Sequence, residues 1–212
     1  MIFLKIEWVF VLEDLSQDML KYKFAMKVLL SELDILFEEY EFKNGDNPVE
    51  HIRSRIKTVD SAEAKLERKG YDVSKDNLVN HIHDMVGVRI VVAFLSDVYD
   101  VVDIITSSSL FKIKSQADYI KNPKKSGYSS YHLNVYVPVF LSEKQELVEA
   151  EIQIRTMAMD FWASLEHKIR YKVDEEVPED INEEIASVAQ EVKSLDVKML
   201  TLNKSMKNYR NR

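Results

Sequence analysis

Apolar residues recur at alternating three- and four-residue steps in two long stretches, one towards each end of the chain. The first runs from Leu12 to Tyr40 and the second from Ile181 to Met206. Such spacing puts the apolar residues on one helical face and is typical of a heptad seam. We therefore predict an N-terminal helix within residues 1–46 and a C-terminal helix within 181–212. Each seam either packs on the rest of the protein or also joins copies of the chain, and sustained heptads favour an oligomer.

Residues 47–173 alternate between helix-like and strand-like patterns and are predicted to form the core. Asn47, Pro48 and Glu50 fit a capping box, which predicts a second helix from about Pro48 to Lys69. Further strands are predicted near 88–94, 110–114, 131–140 and 148–155, and further helices near 98–105 and 157–172. A short polar turn joins the last two strands, which indicates an antiparallel hairpin. The fold class is α+β in one domain, 1–212, with a mixed sheet flanked by helices and an acidic linker at Asp174–Asp180.

Composition narrows the classes of protein. The chain has 212 residues, 46% of them hydrophobic, which suffices for one buried core. It has no Cys, which excludes a disulfide framework, a thiolate metal site and a Cys nucleophile. No stretch reaches the ~18 apolar residues of a membrane span, so we expect a cytoplasmic protein with no membrane partner. The net charge of −7 leaves RNA binding open but does not favour it.

The predicted strand over 148–155 carries polar side chains on one face. Glu151, Gln153 and Arg155 alternate with apolar residues, and His132 and Asn134 on the neighbouring strand can share their face. Such alternation is usual for a solvated sheet face. The combination of acid, amide, guanidinium and imidazole also suits a catalytic platform.

A basic stripe lies on the predicted second helix. Its members step by four, four and three residues along one face: Lys57, Ser61, Lys65 and Arg68. The stripe is either solvated, with Glu63 and Glu67 as partners, or a row of fixed cations for a polyphosphate.

Two further segments carry candidate chemistry. Lys124–Ser130 combines lysines with Gly127 and Tyr128, and it is either an ordinary exposed turn or a loop that stacks on a base and meets phosphates. His81, His83 and Asp84 lie close together, yet no second cluster completes a transition-metal set. Asp84 with a distant carboxylate is better suited to Mg²⁺, which prefers few carboxylates plus substrate phosphates.

Several of these segments, in order and spacing, resemble the signature of the RelA/SpoT synthetase domain. The matching segments are Arg55–Lys57, Asp84–Arg89, Gly127–His132, Glu151–Thr156 and Phe161–His167. The chain is similar to the small alarmone synthetases, which lack the hydrolase and regulatory domains of longer relatives. The resemblance implies a nucleotidyltransferase-like synthetase core that transfers the β,γ-pyrophosphate of ATP to the 3′-hydroxyl of GDP or GTP. The products would be ppGpp or pppGpp and AMP, the alarmones of the stringent response.

The resemblance also implies roles for individual residues. Arg55 and Arg89 would hold adenine, and the stripe Lys57, Ser61, Lys65 and Arg68 would hold the ATP phosphates. Asp84 and Glu151 would bind Mg²⁺. Tyr128 would stack on guanine, with Lys124 and His132 at the phosphates of GDP or GTP. Glu151 would activate the 3′-hydroxyl with support from Gln153, and the long helices would build a homotetramer.

This chain departs from the family pattern at a few positions. Ser129 stands where Arg is usual, which leaves the preference between GDP and GTP open. Asp160 and His51 stand where some relatives have Asn and Phe that bind an alarmone between subunits, and an acid there would repel a phosphate-rich effector. We therefore predict no strong activation by product. Two other functions stay open: a non-catalytic nucleotide- or RNA-binding regulator, and a pyrophosphokinase acting on another acceptor.

Overall fold

A five-stranded mixed sheet lies at the centre of the protein. The computed structural model describes residues 3–170 and 177–210, and the side chains of 19–169 and 177–209. The strands are β1 (Val49–Ile56), β2 (Val86–Val92), β3 (Lys112–Asp118), β4 (Tyr131–Phe140) and β5 (Gln145–Thr156). Their order is β1-β2-β5-β4-β3. The β2–β5 pair is parallel and the other pairs are antiparallel, so the predicted α+β class and the β4–β5 hairpin are confirmed.

Helices cover one face of this sheet and leave much of the other open. The helices are α1 (Phe3–Asn44), α2 (Val59–Arg68), α3 (Lys75–His81), α4 (Leu95–Ser107), α5 (Met157–Arg170) and α6 (Glu179–Arg210). Alternate residues of β2 and β5, such as Val88, Ile90 and Ile152, join α1 and α4 in one apolar core. The residues between them face the opposite way, so strand alternation itself gives the sheet one dry face and one polar face.

The two long terminal helices differ in what they bury. In α1 the side chains of Leu29 and Leu33 are fully buried against the sheet. In α6 the first turns pack on α5 through Ile185 and Ala189. Further along α6 the predicted seam lies at the surface, and four of its apolar residues are 45–58% exposed: Leu195, Met199, Leu202 and Met206. Of the helices described, none is both long and apolar enough to cross a membrane.

The predicted second helix from Pro48 to Lys69 was wrong over its first half. Residues Val49–Ile56 form β1, an edge strand, and the helix begins only at Val59 with Thr58 as its N-cap. The Asn47 side chain accepts a hydrogen bond from the Val49 amide, so it caps a turn into a strand. A register shift between Val49 and His51 leaves the partly buried residues of β1 at three- and four-residue spacing. That spacing imitates a helical face, and backbone pairing with β2 decides the structure.

Smaller differences concern the bounds of elements. Strand β2 begins and ends two residues earlier than the predicted 88–94, and β3 extends to Asp118, beyond the predicted 110–114. The first three residues of the predicted linker Asp174–Asp180 lie outside the described residues, whereas Glu179 and Asp180 form the first turn of α6.

Candidate active site

The polar face of the sheet opens into a cavity of about 320 Å³. In the parallel β2–β5 pair Gly87 lies opposite Glu151 and Arg89 opposite Gln153. The cavity is lined by Arg53, Ser54, Arg55, Asp84, Gly87, Val88, Arg89, Glu151 and Gln153. Five of the predicted site residues therefore line one cavity: Arg55, Asp84, Arg89, Glu151 and Gln153. Lys57 contacts one of them, Asp84.

One side of the cavity is organised around Asp84, whose side chain is only 11% exposed. Lys57 Nζ donates to Asp84 Oδ2 at 3.1 Å and Lys65 Nζ to Oδ1 at 2.9 Å. Arg55 approaches the same carboxylate at 3.9 Å. Burial favours the neutral acid, but the hydrogen bonds and charges of Lys65 and Lys57 outweigh it and lower the pKa of Asp84. We call these four residues the Asp84 cluster.

The basic stripe does not lie on a single helical face as predicted. Lys57 precedes α2, and its ammonium group reaches Asp84 from the β1–α2 connection. Ser61 lies in the first turn of α2, where its hydroxyl oxygen accepts a hydrogen bond from Thr58. Arg68 donates to the backbone oxygen of Ala64 in its own helix. The structure thus brings Lys57 and Lys65 together at Asp84, whereas Ser61 and Arg68 make contacts only near their own positions in the chain.

The other side of the cavity is a closed ring of five hydrogen-bonded side chains. His132 Nδ1 lies 3.1 Å from Glu151 Oε1, and Gln153 donates to Glu151 Oε2 at 2.7 Å. Arg155 donates to Gln153 Oε1 at 2.8 Å and to the Tyr128 hydroxyl at 2.7 Å. The Tyr128 hydroxyl and His132 Nε2, 2.8 Å apart, complete the circuit. We call this set the Glu151 ring.

The contacts of the Glu151 ring indicate which atoms donate hydrogen bonds and which accept them. A proton on His132 Nδ1 fits these contacts, because Nδ1 then donates to Glu151 and Nε2 can accept from the Tyr128 hydroxyl. Burial raises the pKa of Glu151, but the hydrogen bonds from His132 and Gln153 outweigh burial and lower it. Glu151 is therefore a carboxylate at neutral pH, oriented by two donors and able to accept a proton.

The loop that carries Tyr128 is held in place from both ends. Gly127 has φ +84°, a conformation that favours glycine, and its amide donates to the Lys124 carbonyl. Lys124 Nζ lies 4.8 Å from the ring centroid of Tyr128. Tyr128 also packs against the apolar cluster between α5 and α6, which includes Trp162 and Ala189. The base-stacking candidate is thus fixed by the C-terminal helix as well as by the sheet. Ser129 lines a narrow cleft between this loop and α6.

The structure also connects to the site two residues to which the sequence assigned no catalytic or nucleotide-binding role. Arg155 is 4% exposed and is the residue of the Glu151 ring that contacts both Gln153 and Tyr128. Asp160, in the first turn of α5, forms an ion pair with Arg89 at 3.1 Å and accepts a hydrogen bond from Arg155 at 3.4 Å. Its charge is therefore paired within the chain, and the absence of strong activation by product stays a prediction. The sequence signal was only an acid five residues after Arg155.

The two carboxylates of the site fit a magnesium ion better than a transition metal. Within the described part of the chain, no group of three or more His, Asp and Glu side chains is arranged to hold a metal. His81 stacks on Tyr71, and His83 lies 3.0 Å from Glu149, so neither completes a set with Asp84. Asp84 and Glu151 line one cavity, and the charge of Asp84 acts on Glu151. Mg²⁺ takes one or two carboxylates and completes its shell with phosphates and water.

A mixed sheet with a cation-lined cavity and two ionised carboxylates defines a protein suited to polyphosphate ligands. Residues 54–176 match the family described as "Region found in RelA / SpoT proteins". The chain is 44% identical to GTP pyrophosphokinase YwaC of Bacillus subtilis over 196 residues, which cover 92% of this chain and 93% of that protein. The chain belongs to the RelA/SpoT family.

Solved structures support the same relationship. The structure of small alarmone synthetase 2 from Bacillus subtilis matches with a TM-score of 0.81 at 45% identity, over 91% of this chain and 99% of that one. Small alarmone synthetase 1 from the same organism, bound to its product pppGpp, matches with a TM-score of 0.82 at 30% identity, over 92% and 99% of the two chains. The family resemblance and the fold class predicted from sequence are confirmed.

Proposed function

We propose that this protein transfers the β,γ-pyrophosphate of ATP to the 3′-hydroxyl of GDP or GTP, giving ppGpp or pppGpp and AMP. The observation that carries the proposal is that the Asp84 cluster and the Glu151 ring face one cavity. The first supplies cations beside a carboxylate, and the second an oriented base. Family membership and the names of the relatives support the same reaction.

The Asp84 cluster is proposed to bind ATP. Lys57 and Lys65 can turn from Asp84 to the phosphates, and Ser61 and Arg68 would contact the phosphates from the first and last turns of α2. Arg55 lies opposite Gly87 in the β1–β2 pair, Arg89 lies two residues further along β2, and both line the cavity. Two guanidinium groups at one cavity suit a flat adenine ring, on which they can stack.

The Glu151 ring is proposed to bind and activate the acceptor. Tyr128 would stack on guanine, and Lys124 and His132 would meet its phosphates. Glu151 takes the proton of the 3′-hydroxyl as that oxygen bonds to the β-phosphorus of ATP. The bond between the β-phosphorus and the oxygen bridging it to the α-phosphorus breaks, and AMP leaves with that oxygen. Gln153 keeps the carboxylate in place, and catalysis of this kind rests on positioning and charge neutralisation.

Asp84 and Glu151 are the residues that would hold Mg²⁺. When bound, the ion would neutralise charge on the migrating pyrophosphate. Since both carboxylates are ionised at neutral pH, neither needs to lose a proton before it can act as a ligand.

The reaction can be tested directly with ATP labelled at the γ-phosphate, Mg²⁺, and GDP or GTP in parallel, followed by anion exchange. We expect label in a tetra- or pentaphosphate of guanosine and an equal amount of AMP. ADP, ATP alone and tRNA serve as comparison acceptors, because stacking by Tyr128 does not itself select guanine. Absence of transfer to GDP and GTP by folded protein would contradict the proposal, and transfer to a comparison acceptor would replace it with the alternative pyrophosphokinase.

The same proposal includes the assembly and location of the enzyme. The exposed apolar residues of α6 support a homo-oligomer, which we propose to be a tetramer. In this proposal residues 47–173 form the catalytic core of each chain. Leu202→Glu should lower the mass measured by light scattering, whereas Lys198→Glu, a change at an exposed lysine of the same helix, should not. An unchanged mass for Leu202→Glu would contradict a role of this face in assembly.

ATP and guanine nucleotides are cytoplasmic substrates, and we therefore propose that the reaction takes place in the cytoplasm.

A further inference from the structure

A single carboxylate connects the two sides of the site. Asp160 Oδ1 forms an ion pair with Arg89 Nη1 at 3.1 Å and accepts a hydrogen bond from Arg155 Nη1 at 3.4 Å. Arg89 belongs to β2 and lines the cavity, whereas Arg155 belongs to β5 and closes the Glu151 ring. Asp160 itself lies in the first turn of α5, has a side chain only 13% exposed, and is absent from the cavity lining.

The two guanidinium groups need this carboxylate to stay close together. Burial and the charge of Arg155 both lower the pKa of Arg89, while the charge of Asp160 opposes them. Like charges repel strongly where water is excluded, and Arg155 is almost fully buried. Without the negative charge of Asp160, at least one guanidinium group would have to move away from the other.

Movement of either arginine would reach a substrate subsite. Arg89 is proposed to hold adenine. Arg155 donates to the Tyr128 hydroxyl and to Gln153 Oε1, and Gln153 in turn holds Glu151. A displacement of Arg155 therefore changes the position of the guanine-stacking ring and of the base, while a displacement of Arg89 changes the ATP subsite.

We propose that Asp160 is a positioning residue that holds the ATP subsite and the acceptor subsite in register through Arg89 and Arg155. This inference rests on the proposed function, since it assigns the two arginines to ATP and to the acceptor. Asp160 touches neither substrate, so its effect appears through both arginines at once.

The test is steady-state kinetics of Asp160→Asn, which keeps the shape of the side chain and removes its charge. We expect the KM for ATP and the KM for the guanine nucleotide each to rise by roughly fivefold or more, as for loss of a partly buried charged hydrogen bond. Asp103→Asn, at an exposed position of α4, is the matched control and should change neither. A rise in one KM alone, or a lower kcat with both KM values unchanged, would overturn the proposal.

Two further measurements keep the outcome decisive. Thermal unfolding shows whether Asp160→Asn is folded. If it is not, Asp160→Glu replaces it, because this variant retains the charge one methylene further out. Asp160→Glu should raise both KM values to a lesser degree, and unchanged values would overturn the proposal. If the unmodified protein transfers no pyrophosphate, the proposed function fails by itself. Calorimetric binding of a non-hydrolysable ATP analogue and of GDP then tests Asp160 separately, with weaker binding of both ligands expected in Asp160→Asn and unchanged binding contradicting the role.

Discussion

The polar groups on the two sides of the cavity are held by different kinds of contact. The Asp84 cluster holds three cations around one carboxylate, and its contacts are ion pairs in which Arg55 is 67% and Lys65 30% exposed. The Glu151 ring is a circuit of directional hydrogen bonds in which His132, Glu151 and Arg155 are each less than 20% exposed. Charges that can exchange partners suit a ligand that arrives with its own phosphates. A fixed circuit suits a base that must meet one hydroxyl group.

The largest effect is expected when the base of the Glu151 ring is removed without changing its shape. Glu151→Gln should lower kcat by about 10³-fold, the scale of general base catalysis, while both nucleotides still bind. Glu143→Gln in the exposed β4–β5 turn is the control and should retain full activity. Radiolabelled transfer assays and thermal unfolding measure the outcome, and near-normal kcat in folded Glu151→Gln would remove this residue as the base.

The Asp84 cluster should respond differently, through the metal. Asp84→Asn removes a proposed Mg²⁺ ligand and leaves Lys57 and Lys65 without their partner charge. We expect the Mg²⁺ concentration for half-maximal rate to rise by at least roughly tenfold, since even weaker perturbations of metal sites have effects of this size. The measurement is the reaction rate as a function of Mg²⁺ concentration. Asp72→Asn, at an exposed position, is the control. An unchanged Mg²⁺ dependence would show that Asp84 pairs with the lysines and is not a Mg²⁺ ligand.

Substitutions of Tyr128 distinguish its stacking on the guanine base from its hydrogen bonds within the Glu151 ring. Tyr128→Ala should raise the KM for GDP or GTP by roughly 5- to 100-fold, the range for loss of one base-stacking contact, and leave the KM for ATP nearly unchanged. Tyr128→Phe keeps the ring and removes the hydroxyl contacts with Arg155 and His132.

The Phe variant should therefore retain most of the acceptor affinity. Equal losses in the Ala and Phe variants would show that the hydroxyl, and not stacking, holds the acceptor. No loss in the Ala variant would refute the contact with guanine.

The smallest effect concerns the support of the acceptor loop by α6. Gly127 and Gly70 both have positive φ, but a Cβ on Gly127 would lie 2.4 Å from Ala189 Cβ, whereas one on Gly70 would meet nothing within 4 Å. Gly127→Ala should raise the KM for the acceptor several-fold. Gly70→Ala carries a similar backbone cost, about 1 kcal/mol, and should lower only stability. Equal kinetics for both variants would contradict support of the loop by α6.

The sequence predicts the Glu151 ring better than the Asp84 cluster for a physical reason. Alternation along one strand is local, so spacing alone assigns Glu151, Gln153 and Arg155 to one face, and the hairpin register adds His132. The Asp84 cluster depends on where a strand ends and a helix begins. An edge strand with a bulge imitates a helix there, so the pattern assigns Lys57 to the wrong element and does not predict its contact with Asp84.

Contacts that depend on the packing of helices could not be read from the pattern. The seams in α1 and α6 look alike in sequence, yet α1 is buried on the sheet and much of α6 is exposed. Asp160 is a similar case, because its role depends on the direction in which α5 leaves β5. Its contacts with two arginines could not be predicted from the sequence, which suggested only a position facing a phosphate-rich effector.

The position of each phosphate in the product tests the central claim most directly. ATP labelled separately at the β- and γ-phosphates is incubated with Mg²⁺, GDP and the protein, and the product is analysed for both labels and for the nucleotide released. Transfer of both labels to the 3′ position, with one AMP formed per product, is the predicted result. Transfer of the γ-label alone, with release of ADP, would contradict pyrophosphate transfer and the joint action of the Asp84 cluster and the Glu151 ring that the proposal requires.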